Sequence, residues 1–204
     1  MRKDKYLTTK IIGGKFRGKK ILLPEKSVTR SSKSRLRESL FNTLQFDLID
    51  QNFIEMFGGS GSVGLEAISR GAKQAWFIEL DPNSFKILQQ NCQSLDPTRC
   101  DIRFGNAFEI LPNILKTLES RSEKAYLYID PPFSIRDGYE DIYQKVIDLI
   151  ASIHPDVIHR IIIEHMTQAT LPEEVGAFEK VKYRKFGKSS LTYYAPKEKE
   201  AENL

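Results

Sequence analysis

Apolar positions along this chain follow two periods that take turns. Between residues 53 and 164, short apolar runs of strand length alternate with stretches whose apolar residues recur every three to four positions, the spacing of a helix with one buried face. The runs predict strands at 53–57, 75–80, 101–105, 125–130 and 160–164, and the stretches between them predict helices over about 62–70, from Pro82 onward, over 107–118 and over about 139–152. Gly71 stops the first of these helices, Pro82 suits a first helical turn, and Pro131-Pro132 ends the fourth strand. Strands alternating with helices imply an α/β fold around a parallel sheet covered on both faces. The rhythm breaks near the end, where 178–186 and 190–195 flank Gly187-Lys-Ser and predict an antiparallel hairpin.

The segment before residue 46 has a different character. Residues 1–10 are polar and expected to fray. From Lys10 to Leu23, two β-prone runs flank a turn rich in glycine and lysine, which predicts a hairpin. Pro24 to Lys33 reads as a loop. Ser34 to Leu44 then places Leu36, Leu40, Phe41 and Leu44 at helical spacing, with Arg35, Arg37 and Glu38 on or beside the other face. A helix feeding directly into the strand at 53 would bring Arg35 and Arg37 close to the cleft at that strand's end.

Charge sharpens this division. The formal net charge is +4, but residues 1–40 hold 13 Lys and Arg against 3 Asp and Glu, a net of +10, while the rest holds 18 against 24, a net of −6. A basic block of this kind suits a phosphate-rich partner, although a solvated tail that aids solubility would look the same. Lys15, Arg17, Lys19 and Lys20 are interleaved with Phe16, so cations for phosphates and an aromatic face for a base fall on one hairpin. Phe16 could equally pack beneath it. No apolar run is long enough to span a bilayer, and the start does not read as an export signal, so a cytoplasmic protein is expected. Cys92 and Cys100 lack metal-ligand spacing, and His154, His159 and His165 form no ligand cluster, so no metal site is expected and the histidines read as surface or strand-end residues.

Three stretches carry candidate chemistry, and all fall at the carboxyl ends of predicted strands, where open parallel sheets collect ligands. Gly59-Ser-Gly-Ser-Val-Gly64 fits G-x-G-x-x-G between a strand and a helix, and Glu79 ends the next strand. Small residues let backbone approach a ligand closely, and an acid at the second strand's tip can accept hydrogen bonds from ribose hydroxyls, so this is a candidate adenosine-cofactor site. Asn106, just after the third strand, could contact an adenine. Asp130-Pro-Pro-Phe133 ends the fourth strand. Its prolines free the Pro131 carbonyl to accept from an amine, Asp130 supplies a second acceptor, and Phe133 offers a flat face to a heterocycle.

Asp130-Pro-Pro-Phe133 resembles motif IV of the Rossmann-like, S-adenosylmethionine-dependent N-methyltransferases that modify base amino groups. Glu55-Met-Phe-Gly-Gly-Ser-Gly61 resembles their motif I, and Glu79 their ribose-binding acid. Together with Ile11–Lys20, Arg35–Asn42 and Gly64–Ala72, these residues resemble the bacterial 16S rRNA guanine-N2 methyltransferase family over about residues 10–195. Three departures stand out: Glu55 where the family usually has Asp, Gly58 where Ala is usual, and Arg30-Ser-Ser in place of Arg-Pro-Thr. The resemblance implies a class I methyltransferase sheet of seven strands with an antiparallel final hairpin. It implies a basic extension over 1–45, a methyltransferase domain over 46–196 and a charged tail over 197–204. It further implies methyl transfer to guanine N2 in 16S rRNA, at G966, during small-subunit maturation, with naked rRNA or an assembling 30S subunit as partner and a monomeric enzyme. Glu55, Phe57, Gly58, Gly59, Gly61, Glu79, Leu80, Asn106 and Ala107 would hold the cofactor. Asp130 and Pro131 would orient the amine, with Phe133 stacked on the base. Pro132, Lys15, Phe16, Arg17, Lys19, Arg35 and Arg37 would contact RNA. Competing readings are a nicotinamide-dependent dehydrogenase, an adenine-N6 methyltransferase, and an RNA-binding module with a vestigial cofactor fold. Tyr193 and Tyr194 either border the base pocket or pack in the core.

Overall fold

The computed structural model describes residues 6–24, 30–132 and 141–198. A two-stranded antiparallel hairpin, β1 (Leu7–Lys10) and β2 (Lys20–Leu23), leads to helix α1 (Arg30–Leu44). There follow β3 (Asn52–Glu55), α2 (Ser62–Ser69), β4 (Gln74–Glu79), α3 (Pro82–Leu95), β5 (Cys100–Phe104), α4 (Ala107–Ser120), β6 (Ala125–Ile129), α5 (Ile142–Ala151) and β7 (Ile158–Met166). Short β8 (Glu174–Val175), β9 (Phe178–Phe186) and β10 (Ser189–Pro196) close the chain. The main sheet runs β5-β4-β3-β6-β7-β10-β9-β8, parallel from β5 to β7 and antiparallel beyond.

The predicted elements are present, with four corrections. The sheet has eight strands rather than seven, because two residues of β8 pair with the start of β9 through a turn at Gly176. β1 begins at Leu7, within the stretch expected to fray, because its backbone pairs along the whole of β2. Helix α1 begins at Arg30 rather than Ser34, which moves Lys33 out of the expected loop and into a helix. β7 spans nine residues rather than five, because β10 pairs with it as far as Met166. The expected start of the α5 helix at about 139 lies outside the described residues.

Alternation along each strand sends side chains to opposite faces of the sheet. Ala75 and Phe77 of β4 join Leu36, Leu40, Phe41, Phe53 and Leu88 on the α1–α3 face, while Trp76 and Ile78 join Leu111, Ile114, Val146 and Ile150 on the α4–α5 face. Tyr193 and Tyr194 divide between these two cores, so both tyrosines are packing residues.

The hairpin is docked on α2 and α3 by buried side chains. Glu66, fully buried on α2, accepts from the backbone N–H groups of Ile12 and Gly13 and pairs with Arg70 one turn on. Ser69 Oγ accepts from Phe16 N at 2.9 Å and donates to Gly13 O at 2.6 Å. On α3, Asn91 accepts from Leu22 N and donates to Leu22 O and Ser60 O, and so ties the hairpin to the glycine-rich turn. Arg37 completes the joint from α1, donating to Lys10 O at 2.8 Å.

Replacing Glu66 leaves two backbone donors and a largely buried guanidinium without their acceptor. Glu66→Ala is therefore expected to cost about 3 kcal/mol or more, read as a fall in the denaturant midpoint of unfolding. An unchanged midpoint would mean that the hairpin does not depend on this carboxylate.

Candidate active site

The parallel strands reverse their order of addition at β3, which has β4 on one side and β6 on the other. A crevice opens at the carboxyl edge of such a switch point. Four acids end neighbouring strands along that edge: Glu79 on β4, Glu55 on β3, Asp130 just past β6 and Glu164 near the end of β7.

The first two acids are held by backbone amides. After β3 the chain turns through Phe57–Gly61, with Gly59 at φ +54° and Gly61 at φ +79°, backbone that side chains rarely adopt. Glu79 Oε2 accepts from Gly59 N at 2.7 Å, and Oε1 accepts from the Leu80 and Asp81 N–H groups. Three of the roughly four acceptor positions of a carboxylate are thus in use. Glu55 is buried and accepts from Gly64 N at 2.7 Å. Gly64 is required there, since a Cβ would lie 2.3 Å from the Phe77 ring. Burial pushes the Glu55 carboxyl up to about 8, against the favourable Gly64 N–H.

Asp130 and Glu164 are joined by a lysine. One step before them, Ile129 pairs with Ile163, which sets the two acids side by side. Lys33 reaches between them from α1, 3.0 Å from Asp130 Oδ2 and 2.8 Å from Glu164 Oε1. Tyr128 donates its hydroxyl to Glu164 Oε2. Burial and the neighbouring Glu164 carboxylate push Asp130 up to about 7, with Lys33 opposing them. Burial works against the Lys33 ammonium, yet the two carboxylates together hold its pKa above the ordinary lysine value.

The other expected site residues divide by position. Phe57 is half-buried and packs edge-on against Phe108, while Gly58 and Ala107 are buried. Leu80 is 54% exposed, and Phe104, which the sequence reading passed over, is 53% exposed. Asn106 caps α4, its side chain accepting from Phe108 N at 2.9 Å. Pro131 is buried and Pro132 half-buried, whereas Phe133 lies outside the described residues. On the hairpin, Lys15, Arg17 and Lys19 are exposed, and Lys15 and Lys19 stand 5.2 and 5.5 Å from the half-buried Phe16 ring. Phe16 packs against the core beneath them.

Arg35 is exposed, but Arg37 is not the surface residue expected from its charge, because it shares the face of α1 that carries Leu40, Phe41 and Leu44 and donates there to Lys10 O of the hairpin. His165 lies at the end of β7, as one of its two expected places had it, but not at the surface: it is buried and bonded to Thr192 Oγ1 and Met166 O, beside the paired β10. A groove of about 690 Å³ runs between α1 and β9, lined by Arg35, Lys182 and Arg184 together with Glu38 and Asp47, so charges of both signs adjoin Arg35 there. Sequence reasoning missed Glu164, although an acid closing the apolar run 161–163 was a usable signal. It had no such signal for Lys33. Among the described residues there is no group of three or more His, Cys, Asp or Glu able to hold a metal ion, and no helix long and apolar enough to cross a membrane.

Residues 9–195 match the model of the family described as conserved hypothetical protein 95. The chain belongs to that family. Ribosomal RNA small subunit methyltransferase D of Escherichia coli (strain K12) is 35% identical over 125 residues, 61% of this chain and 60% of that protein. The matched segment therefore spans less than two thirds of that relative's length. A solved chain from Escherichia coli, described provisionally as a methyltransferase, superposes with a TM-score of 0.73 at 25% identity, covering 95% of this chain and all of the other. An RNA methyltransferase from Salinibacter ruber, solved in complex with S-adenosyl-L-homocysteine, shares the fold alone, at TM-score 0.54 and 14% identity, over 86% of this chain and 98% of that one. The fold is that of a class I methyltransferase.

The buried acids give stability a definite pH dependence. A native carboxyl near 8 keeps a proton that the unfolded chain, with its ordinary value of 4.5, has already released. The contribution of Glu55 is thus fully present below about 4.5 and is lost as pH rises through about 8. Glu55→Gln is expected to flatten the fall of unfolding free energy across this window, measured by denaturant titration at several pH values. Parallel curves for the two proteins would contradict the assignment.

Proposed function

We propose that this protein transfers a methyl group from S-adenosylmethionine to the exocyclic N2 of a guanine in 16S rRNA, with G966 as the expected position. The observation that carries the reading is Asp130-Pro131-Pro132 at the end of β6, beside the glycine-rich turn of β3 at the switch point of the sheet. The residues present suit the cofactor. A Cβ on Gly59 would meet no atom within 4 Å, so that side of the turn is open to a ligand. Glu79 lies beside it with about one acceptor position spare, and a second ribose hydroxyl would require the Gly59 N–H to yield its place. Exposed Leu80 and Phe104 offer apolar faces for a purine, and Asn106 follows Phe104 by two residues. Glu55 is assigned a bracing part, holding the start of α2 through Gly64.

When bound, the cofactor supplies an electrophilic methyl on a cationic sulfonium. The chain's own contribution is position. Asp130 and the Pro131 carbonyl accept the two N–H bonds of the amine and so direct its lone pair toward the methyl. Because the positive charge passes from sulfur to nitrogen and no anion builds up in the transfer, no oxyanion site is needed. The methylated nitrogen releases a proton, and a carboxylate held near 7 is suited to accept it. The target base must leave its stack to enter the crevice. Lys15, Arg17, Lys19 and Arg35 supply exposed cations for the RNA backbone, whereas buried Arg37 is assigned to docking the hairpin. The extension over 1–45 is accordingly the RNA-binding part, and the enzyme acts as a cytoplasmic monomer on rRNA or an assembling subunit.

The test is transfer of labelled methyl to rRNA or small subunits from cells lacking this protein, with the product nucleoside identified. N2-methylguanosine is expected with wild type, and Asp130→Ala is expected to lower the rate about 100-fold or more. N6-methyladenosine would overturn the choice of base. RNA binding without transfer by either protein would favour a binding module.

A further inference from the structure

Lys33 occupies the place that the proposed reaction assigns to the substrate amine. It donates to Asp130, the acceptor meant for guanine N2, while holding Glu164 with the same ammonium. The two carboxylates differ in access: the Glu164 side chain is 4% exposed and Asp130 is 31% exposed, with Lys33 at 46%. A buried carboxylate cannot lose its cation cheaply, whereas a partly exposed one can exchange partners. Among the described residues, the groups facing Asp130 are Lys33 from α1, Glu164 from β7, Tyr128 from β6, Glu55 from β3 and Tyr143 from α5. Lys33 is the cation that acts directly on Asp130 among these groups. Without it, Asp130 and Glu164 would stand as two adjacent acids, the arrangement in which one carboxyl keeps its proton.

We propose that Lys33 is a positioning residue: it favours the ionised form of Asp130 and aims it while the crevice is empty, then stays on Glu164 when the target amine takes its place on Asp130. The ammonium has three donors, so release of one bond leaves the Glu164 pair intact. A protonated Asp130 would be a weaker acceptor for the amine and could not take up the proton that leaves it. The charge that prepares the acceptor thus comes from α1, the helix that also presents Arg35 at the surface. This inference rests on the methyl-transfer reading for its purpose, but not for its first measurement.

That measurement is the titration of Asp130 in the full chain without substrate, by NMR of protein carrying carboxyl-13C aspartate, with Asp130→Asn to assign the signal. Lys33→Met is expected to move the Asp130 midpoint upward from about 7, by about one pH unit or more. Lys33→Arg, which keeps the charge, should leave it close to wild type. In methyl transfer, the acidic limb of kcat/KM for Lys33→Met should move up by the same amount, with activity recovering at high pH. An unmoved midpoint in Lys33→Met, or equal displacement in Lys33→Arg, would overturn the proposal. Should Lys33→Met not fold, the arginine variant alone decides: a displaced midpoint refutes the part assigned to charge, and a wild-type one supports it. Failure of methyl transfer in wild type, with the expected titrations intact, would instead remove the functional reading and leave the electrostatic one standing.

Discussion

Four carboxylates on neighbouring strand ends form the constraint that the rest of this edge must satisfy. A parallel sheet delivers every strand terminus to the same side, and strands β4, β3, β6 and β7 happen to end in or near acids. Bare, such a row would repel itself and suffer from burial. Each member is answered differently. Glu79 is wrapped by three backbone amides, and Glu55 combines one amide with a raised proton affinity. Asp130 and Glu164 share one lysine, and Glu164 takes a tyrosine hydroxyl as well. These solutions determine which oxygen atoms remain for a ligand.

The same logic explains why the N-terminal segment cannot be viewed as an appendage. Its hairpin brings backbone N–H groups that need acceptors, and α2 and α3 supply them from Glu66, Ser69 and Asn91. In return α1 supplies Lys33 to the acid row and Arg37 to the hairpin joint. Basic side chains on this segment therefore have two fates set by geometry. Lys15 and Arg17 face outward at the surface, whereas Lys33 and Arg37 turn toward partners within the fold.

Much of this arrangement was legible in local sequence. Apolar periodicity located the alternating strands and helices, and Gly59–Gly64, Glu79 and Asp130-Pro-Pro were recognisable because each couples a strand end to a distinctive residue type. What local sequence does not contain is the order of strands in space. Glu164 becomes significant only when β7 is known to lie beside β6. Lys33 stands 97 residues from Asp130 and 131 from Glu164, amid serines without apolar period. Arg37 misled by residue type: its charge suggested the surface, although Leu40, Phe41 and Leu44 lie three, four and seven positions on and share its face of the helix. His165 is likewise buried, beside the paired β10.

The separation between the hairpin and its anchors bears on how the chain is made. The bonds from Ile12, Gly13, Phe16 and Leu22 reach 53 to 69 residues forward, to Glu66, Ser69 and Asn91. During synthesis from the amino terminus, the strongly basic arm emerges well before any of these acceptors exist. Contacts of such long reach close late, after the entropy of the intervening loop has been overcome. The arm that carries the highest density of positive charge is thus translated before its anchors, and it is fastened only once the strand–helix units that carry them have followed it.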